Sequence, residues 1–243
     1  MKIYTRVAIL IAKYCSLDRE YHRDVISLFE PGPRAKLLDL GCDDGEYTLK
    51  VAEKIGTSHV FGIDVVKESV EKANARGIDC YQADLDGKIP FEDDSFDAVC
   101  ANQIIEHLSN TDDFIKEIHR VLKPSGYAVI STPNLAAWHM IAFLLLAWQP
   151  HSADVSDYYF WAGRPHTPRE ESMGGKMPHH RRLFVLRALK DLLQHHGFTV
   201  EKSIGTGLRP LPTYLARMLV RFMTGRADII TVKVRKDNAR EVP

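Results

Sequence analysis

The segment Leu37-Leu38-Asp39-Leu40-Gly41-Cys42-Asp43-Asp44-Gly45-Glu46-Tyr47 constrains the fold more than any other part of the chain. Leu37, Leu38 and Leu40 read as a buried strand, Gly41 and Gly45 as the turn that ends it, and Tyr47-Thr48-Leu49-Lys50-Val51-Ala52 as the helix that follows. Glycines at such a turn let backbone approach a ligand at the carboxyl end of the strand. Two further apolar runs repeat the plan. His59-Val60-Phe61-Gly62-Ile63 leads into Asp64, and Asp79-Cys80-Tyr81-Gln82-Ala83 leads into Asp84. Acidic residues at successive strand ends suit a nucleoside: one carboxylate can accept the ribose hydroxyls and the next the adenine amino group. A dinucleotide fold would carry G-x-G-x-x-G. Counted from Gly41, that pattern needs glycines at positions 43 and 46, where the chain has Asp43 and Glu46. A ligand without phosphate but with a cationic amino-acid tail suits Asp39 and Asp43 better.

Strand-period and helix-period segments alternate over most of the length, which implies a parallel sheet with helices on both faces. Strands are expected at about 36–40, 59–63, 79–82, 96–101, 127–131, 198–204 and 229–234. N-terminal helices over 3–29 are closed by Pro31-Gly32-Pro33, and further helices are expected at about 45–55, 66–76, 183–195 and 212–223. Another begins at Thr111, read as its cap, with Asp112 and Asp113 in the first turn, where the helix dipole favours negative charge. Its buried stripe is Phe114, Ile118, Val121 and Leu122, and Pro124 and Gly126 end it. Residues 150–181 break the rhythm with repeated Pro and Gly around Tyr158, Tyr159 and Trp161, and read as a substrate loop.

At 243 residues the chain can bury the core of one large α/β domain. Its 32 basic and 32 acidic residues give none of the basic excess that marks an obligate nucleic-acid protein. Cys15, Cys42, Cys80 and Cys100 lack metal-ligand spacing and read as small side chains of a reduced, cytoplasmic protein. The apolar run Met1 to Ala12 is broken by Lys2, Thr5 and Arg6 and reads as helix rather than leader.

The D-L-G-C-x-x-G turn, Asp64, Ala83-Asp84, Ile89-Pro90-Phe91 through Phe96-Asp97, Ile105-Glu106-His107-Leu108, Leu122-Lys123-Pro124-Ser125-Gly126 and Ser131-Thr132-Pro133-Asn134 follow one another in order. Over about residues 35–135 the chain thereby resembles the class I S-adenosylmethionine-dependent methyltransferases, of the small-molecule or ubiquinone-type O-methyltransferase kind. Asp43 departs from that pattern, which usually has glycine there. The resemblance implies a Rossmann-like seven-stranded, mostly parallel sheet with helices on both faces. The last strand would be antiparallel, the final pair at the sheet edge, with N-terminal helices and an inserted lid. A single domain, 1–243, would divide into an N-terminal helical segment (1–34), a cofactor-binding core (35–134), a lid or substrate insertion (135–181) and the C-terminal part of the sheet (182–243).

The same resemblance implies S-adenosyl-L-methionine as cofactor. Gly41, Cys42 and Gly45 would contact its methionine part, with Asp39 either helping there or ordering the turn. Asp64 would hold the ribose, Val65 line the purine, Asp84 and Leu85 read the adenine, and Asn102 lie under the methionine end. His107 is the expected catalytic base, with a backbone-bonding role as the alternative. His139, Tyr159, His179 and His180 are expected to line the acceptor pocket. A second resemblance, to metal-assisted 2′-O-methyltransferases of RNA ends, rests on Glu106-His107, Ser131 to Asn134 and His179-His180-Arg181-Arg182-Leu183-Phe184. It implies that a metal, if present, is held by Glu106, His107 and His179 or His180. Gln103 stands where a further carboxylate would complete that set, and hard cations prefer charged oxygen, so no metal is expected.

The expected acceptor is a small molecule or lipid-like compound rather than nucleic acid. Leu135 to Trp148 is apolar yet shorter than a bilayer span of about 20 residues. It reads as a buried or lid helix, or as an interfacial helix or apolar substrate wall. Tyr214 to Met223, with Arg217 and Arg221, reads as a surface helix on the sheet or as a peripheral membrane contact. A binding module without turnover is the remaining alternative, and the oligomeric state does not follow from the sequence.

Overall fold

A computed structural model describes residues 17–150, 152–153, 155–156, 163 and 180–237. Tyr159, His179, Cys15 and most of the expected lid lie outside the described residues. The seven short apolar runs read as strands become strands, and the longer apolar run from Leu135 to Trp148 forms a helix. After α1 (Leu17–Ile26) the order is β1 (Lys36–Leu40), α2 (Glu46–Ile55), β2 (His59–Asp64), α3 (Lys67–Ala75), β3 (Asp79–Gln82) and β4 (Phe96–Asn102). A short 3-10 turn, Ile105–His107, then leads to α4 (Thr111–Val121), β5 (Leu122–Pro133), α5 (Trp138–Leu145), α6 (Leu186–His195) and β6 (Phe198–Thr206). The described chain closes with α7 (Thr213–Leu219), the 3-10 turns Val220–Phe222 and Thr224–Arg226, and β7 (Ile229–Lys236).

The sheet order is β3-β2-β1-β4-β5-β7-β6, and β7 alone runs against its neighbours β5 and β6. The final pair thus forms one side of the sheet as expected, but β7 is interior and β6 takes the edge. Apolar packing covers both faces. Leu38, Leu40, Ile63, Val99, Phe114, Ile118 and Phe198 belong to one buried cluster. Leu37, Val51, Ile55, Ala98, Cys100 and Val129 belong to the other. Alternate residues of β1 and β4 therefore serve opposite faces, as the two-residue period of a strand requires.

Asn110, not Thr111, caps α4: its side chain accepts the Asp113 N–H at 3.2 Å. Asp86 fixes the same junction by accepting the N–H groups of Ser109 (2.7 Å) and Asn110 (3.1 Å). The loop after β3 is thereby tied to the start of α4. Among the described residues no helix is long and apolar enough to cross a membrane.

Candidate functional site

The carboxyl ends of β1, β2, β3 and β4 converge on the glycine turn. Gly41 and Gly45 have φ of +78° and +80°, in the left-handed region, and both are held tightly. A β-carbon on Gly41 would come within 2.9 Å of Ile104 Cδ1, and one on Gly45 within 2.4 Å of Ile78 Cδ1. The turn is therefore pressed between the segment after β4 on one side and the α3–β3 connection on the other.

Asp43 adopts the conformation that glycine usually supplies, with φ of +48°. Its N–H donates to the Asp64 carboxylate (2.9 Å), and its own carboxylate accepts from the Ser69 hydroxyl (2.8 Å). Asp64 also accepts the Val66 N–H at 2.9 Å. Each Asp64 oxygen is thus oriented by one backbone N–H, and a carboxylate has lone pairs for further donors. Asp tolerates the left-handed region better than most residues, so the substitution leaves the turn intact.

Asp39 is buried under the turn and accepts the Thr48 hydroxyl at 2.6 Å. Burial pushes its carboxyl up to about 6, against the lowering pull of Thr48, and the nearby Asp64 charge adds to the rise. Cys42 is buried with its sulfur 3.3 Å from Cys80 Sγ, and burial pushes its thiol up. Val65 is exposed at the mouth and Leu85 is buried beneath the loop after β3. Asp84 is exposed and accepts the Asp86 N–H at 2.9 Å.

Asn102 is drawn into a polar network that sequence reasoning missed. Its side-chain oxygen accepts from the Ser131 hydroxyl (2.7 Å) and from Tyr21 of α1, while Tyr21 and Ser131 also pair at 2.6 Å. His22 lies between Tyr21 and Tyr47, with ring centroids 5.3 and 4.7 Å away. The Tyr47 hydroxyl is buried without a hydrogen-bond partner, and burial raises its pKa. An orphaned hydroxyl beside a glycine turn that leaves no room for side chains fits a bound ligand with polar atoms.

Beyond Asn102, Gln103 takes φ of +56° and the 3-10 turn brings Glu106 and His107 to the end of β4. The segment from His180 docks across this turn. Arg181 and Arg182 donate backbone N–H groups to the Glu106 carbonyl at 2.7 and 3.1 Å. Phe184 bridges to Asn134, and the His107 and His180 rings stand 5.1 Å apart. The Glu106 carboxylate is buried, and neither of its oxygens has a hydrogen-bond partner. Burial lifts it to about 7 despite the neighbouring Thr132 hydroxyl. His139 is not brought to this group: its Nδ1 lies 2.9 Å from the buried Asp228 carboxylate, which Arg209 also pairs at 3.0 Å.

The fold and the turn define a Rossmann-like methyltransferase. A model of the methyltransferase domain family matches residues 15–203, and the chain belongs to that family. It is 27% identical over 218 residues to a ubiquinone biosynthesis O-methyltransferase of Bartonella tribocorum, covering 85% of this chain and 76% of that one. It is 30% identical over 142 residues to the ubiquinone/menaquinone biosynthesis C-methyltransferase UbiE of Geotalea daltonii, covering 54% of this chain and 60% of the relative. The crystal structure of an S-adenosylmethionine dependent methyltransferase from Mesorhizobium loti shares the fold, with a TM-score of 0.61 and 23% identity over 91% of this chain and 99% of that one. The chain is accordingly an S-adenosylmethionine-dependent methyltransferase.

Proposed function

We propose that this enzyme methylates a hydroxyl of a small, partly apolar acceptor. Bound S-adenosylmethionine supplies a methyl group already activated by its sulfonium, so the protein's own work is alignment and exclusion of water. In this reading Gly41, Cys42 and Gly45 cradle the methionine part and the buried Asp39 faces its ammonium. Asp64 accepts the ribose hydroxyls, Val65 and Leu85 flank the purine, and Asp84 reads the adenine amino group. Asn102 works from below, held by Tyr21 and Ser131. Tyr47, whose hydroxyl is buried and unpartnered, joins the methionine end of the set. His107 serves the acceptor's reacting oxygen. An imidazole there either takes the proton itself or helps hold a cation that makes the proton easier to lose.

The observation that carries the reading is the contact between the turn and the segment after β4: Ile104 fills the space a Gly41 side chain would take. In this reading the turn that follows Ile104, with Glu106 and His107, lies beside the methyl-donor cradle. The quinone-type relatives support an acceptor of greasy character, and so does the surface around the site. Trp138, Leu144, Leu145 and Leu146 of the α5 region are exposed, as are Tyr214, Met218 and Phe222 of the α7 region. Arg226 joins the two, its guanidinium 5.6 Å from the Trp138 ring centre. A lipid-like acceptor delivered from a membrane surface fits this face, with His180, Tyr159 and His179 as the remaining candidates for contact.

The test is a thermal melt with and without S-adenosylhomocysteine, with NAD as control, on the wild type and Asp64→Ala. Ligand at about 100 times its Kd adds about 2.7 kcal/mol, a rise of roughly 5–10 °C for a domain of this size. The rise is expected with S-adenosylhomocysteine alone, and Asp64→Ala should stay folded and lose it. A full rise in that variant would refute the ribose assignment.

A further inference from the structure

Two cysteines meet beneath the glycine turn. Cys42 follows Gly41 in the turn and Cys80 lies on β3, yet their sulfurs stand 3.3 Å apart across 38 positions of sequence. Gly62 of β2, the strand between β1 and β3, makes the meeting possible. A β-carbon on Gly62 would come within 2.7 Å of Cys42 Sγ and 3.3 Å of Cys80 Sγ, so both sulfurs occupy the space a side chain would take. The backbones that carry them are pinned. The Gly41 and Cys42 N–H groups both donate to the Ile63 carbonyl, at 2.8 and 3.1 Å. Asn74 holds Cys80 by its side chain, accepting the Cys80 N–H at 3.2 Å and donating to the Cys80 carbonyl at 3.0 Å.

We propose that Cys42 and Cys80 are a redox modification site, a reversible disulfide that ties the glycine turn to β3 and weakens cofactor binding. The oxidant is a low-molecular-weight disulfide of the glutathione class. In the exchange two protein S–H bonds and one glutathione S–S bond break and one protein S–S bond forms. The two protons and two electrons leave on two glutathione thiols. Disulfide sulfurs lie about 2.05 Å apart, so the 3.3 Å gap must close by more than about 1 Å. Side-chain rotation supplies part of that movement. The rest draws the turn and β3 together over Gly62, against the hydrogen bonds to Ile63 and Asn74 and the packing of Gly41 and Gly45 on Ile104 and Ile78. A bond made against such resistance is strained, and strained disulfides are the reducible, regulatory ones. The same movement takes the turn out of its preorganised shape, which costs ligand affinity. Burial raises both thiols above their ordinary pKa, and the thiolate is the attacking form, so the exchange is slow and answers to sustained oxidation. The bond itself does not depend on the function proposed above. Its effect on binding rests on the placement of Gly41 and Cys42 at the methionine part of the cofactor.

The test equilibrates the full chain with reduced and oxidised glutathione over a range of ratios, quenches it in acid, alkylates free thiols and maps cross-links by peptide mass spectrometry. S-adenosylhomocysteine affinity is measured by calorimetry on the reduced and the oxidised protein. A Cys42–Cys80 cross-link, lighter than the dithiol by two hydrogens, is expected. The oxidised protein should bind S-adenosylhomocysteine at least about tenfold more weakly, and dithiothreitol should restore the affinity. Linkage then requires saturating S-adenosylhomocysteine to disfavour the bond by the same factor, a displacement of about 30 mV in the midpoint for each tenfold. Cys80→Ala should bind like the reduced wild type and ignore the oxidant, with Cys80→Ser in its place should alanine fail to fold. Cys15→Ala should behave as the wild type. No Cys42–Cys80 cross-link at the most oxidising ratio, a cross-linked protein of unchanged affinity, or a loss of affinity that persists in Cys80→Ala would each overturn the proposal. Failure of the reduced wild type to bind S-adenosylhomocysteine is a separate result. It removes the cradle assignment and the effect on binding with it, and the cross-link map still decides the disulfide.

Discussion

The proposed donor half of the site and the proposed acceptor half are built on opposite plans. At the ends of β1 and β2 nearly every group is committed: the glycines are packed against Ile104 and Ile78, and Asp39, Asp43 and Asp64 all accept hydrogen bonds from the turn or its flanking helices. Beyond β5 the described chain exposes large apolar side chains, with Leu145 at 83% and Phe222 at 74%. A cofactor of fixed shape rewards a rigid cradle. A partly apolar acceptor, as proposed above, would be met by the apolar surface that the described residues leave exposed. The comparison also explains why the motifs crowd into the first half: backbone constraints leave a mark on sequence, and open apolar surface leaves much less.

The largest effect should come from breaking the rigid half. In Gly45→Ala the new methyl group meets Ile78 while the backbone must hold φ of +80°. Left-handed strain and overpacking together should cost about 3 kcal/mol, read as a drop in urea midpoint with unchanged slope. The melt shift from S-adenosylhomocysteine should also fall. A variant as stable as the wild type would mean that the turn is looser than its contacts indicate.

Next in size is Asp39→Asn, which sharpens the comparison by separating binding from stability. The Asp39 carboxyl is held at about 6 in the fold against an ordinary 3.8, so folding disfavours its charged form. Its contribution is intact below pH 3.8 and is lost as pH rises to 6 and beyond. Asparagine can keep the Thr48 bond without the charge. The variant should therefore be more stable by up to about 3 kcal/mol above pH 7, with the gain fading as pH falls toward 4. S-adenosylhomocysteine, whose ammonium would offset the Asp39 charge, should stabilise the variant less than the wild type. A gain that is independent of pH would point to packing rather than to a buried charge.

Much of this was legible before the structure. The strands announce themselves as short apolar runs, and the turn as two glycines whose φ values nothing but glycine takes easily. The expected span of β5, 127–131, is too short, because Lys123-Pro124-Ser125-Gly126 looks like a helix stop. The strand runs from Leu122 to Pro133 because Leu122 already pairs with Phe96, and an irregularity between Phe96 and Ala98 absorbs the Pro and Gly. The order of the last two strands follows from pairing that no local pattern encodes. Tyr21 was invisible as a site residue since its partners Asn102 and Ser131 lie 81 and 110 positions away. His179 and His180 are adjacent in sequence and carry no signal that separates them, and His179 lies outside the described residues. Only the docking of 180–184 across Glu106 brings His180 into the cluster.

The smallest effect on the fold should come from the open half, and it is the one that tests what that half is for. Leu145→Ser with Phe222→Ser removes two side chains that are mostly exposed. Exposed substitutions of this kind usually stay within about 0.5 kcal/mol, so the melt and its shift with S-adenosylhomocysteine should be unchanged. Sedimentation with vesicles of phosphatidylglycerol and phosphatidylcholine should nevertheless fall, because each buried apolar side chain adds about 1.5–3 kcal/mol to partition. Arg217, Arg221 and Arg226 are exposed around the same patch, and each cation near an anionic surface adds about 1 kcal/mol. Binding of the wild type should therefore weaken in phosphatidylcholine alone and with added salt. If the wild type ignores vesicles of both kinds, the apolar surface serves the acceptor itself or a protein, and the two halves differ in how tightly they close rather than in the medium they face.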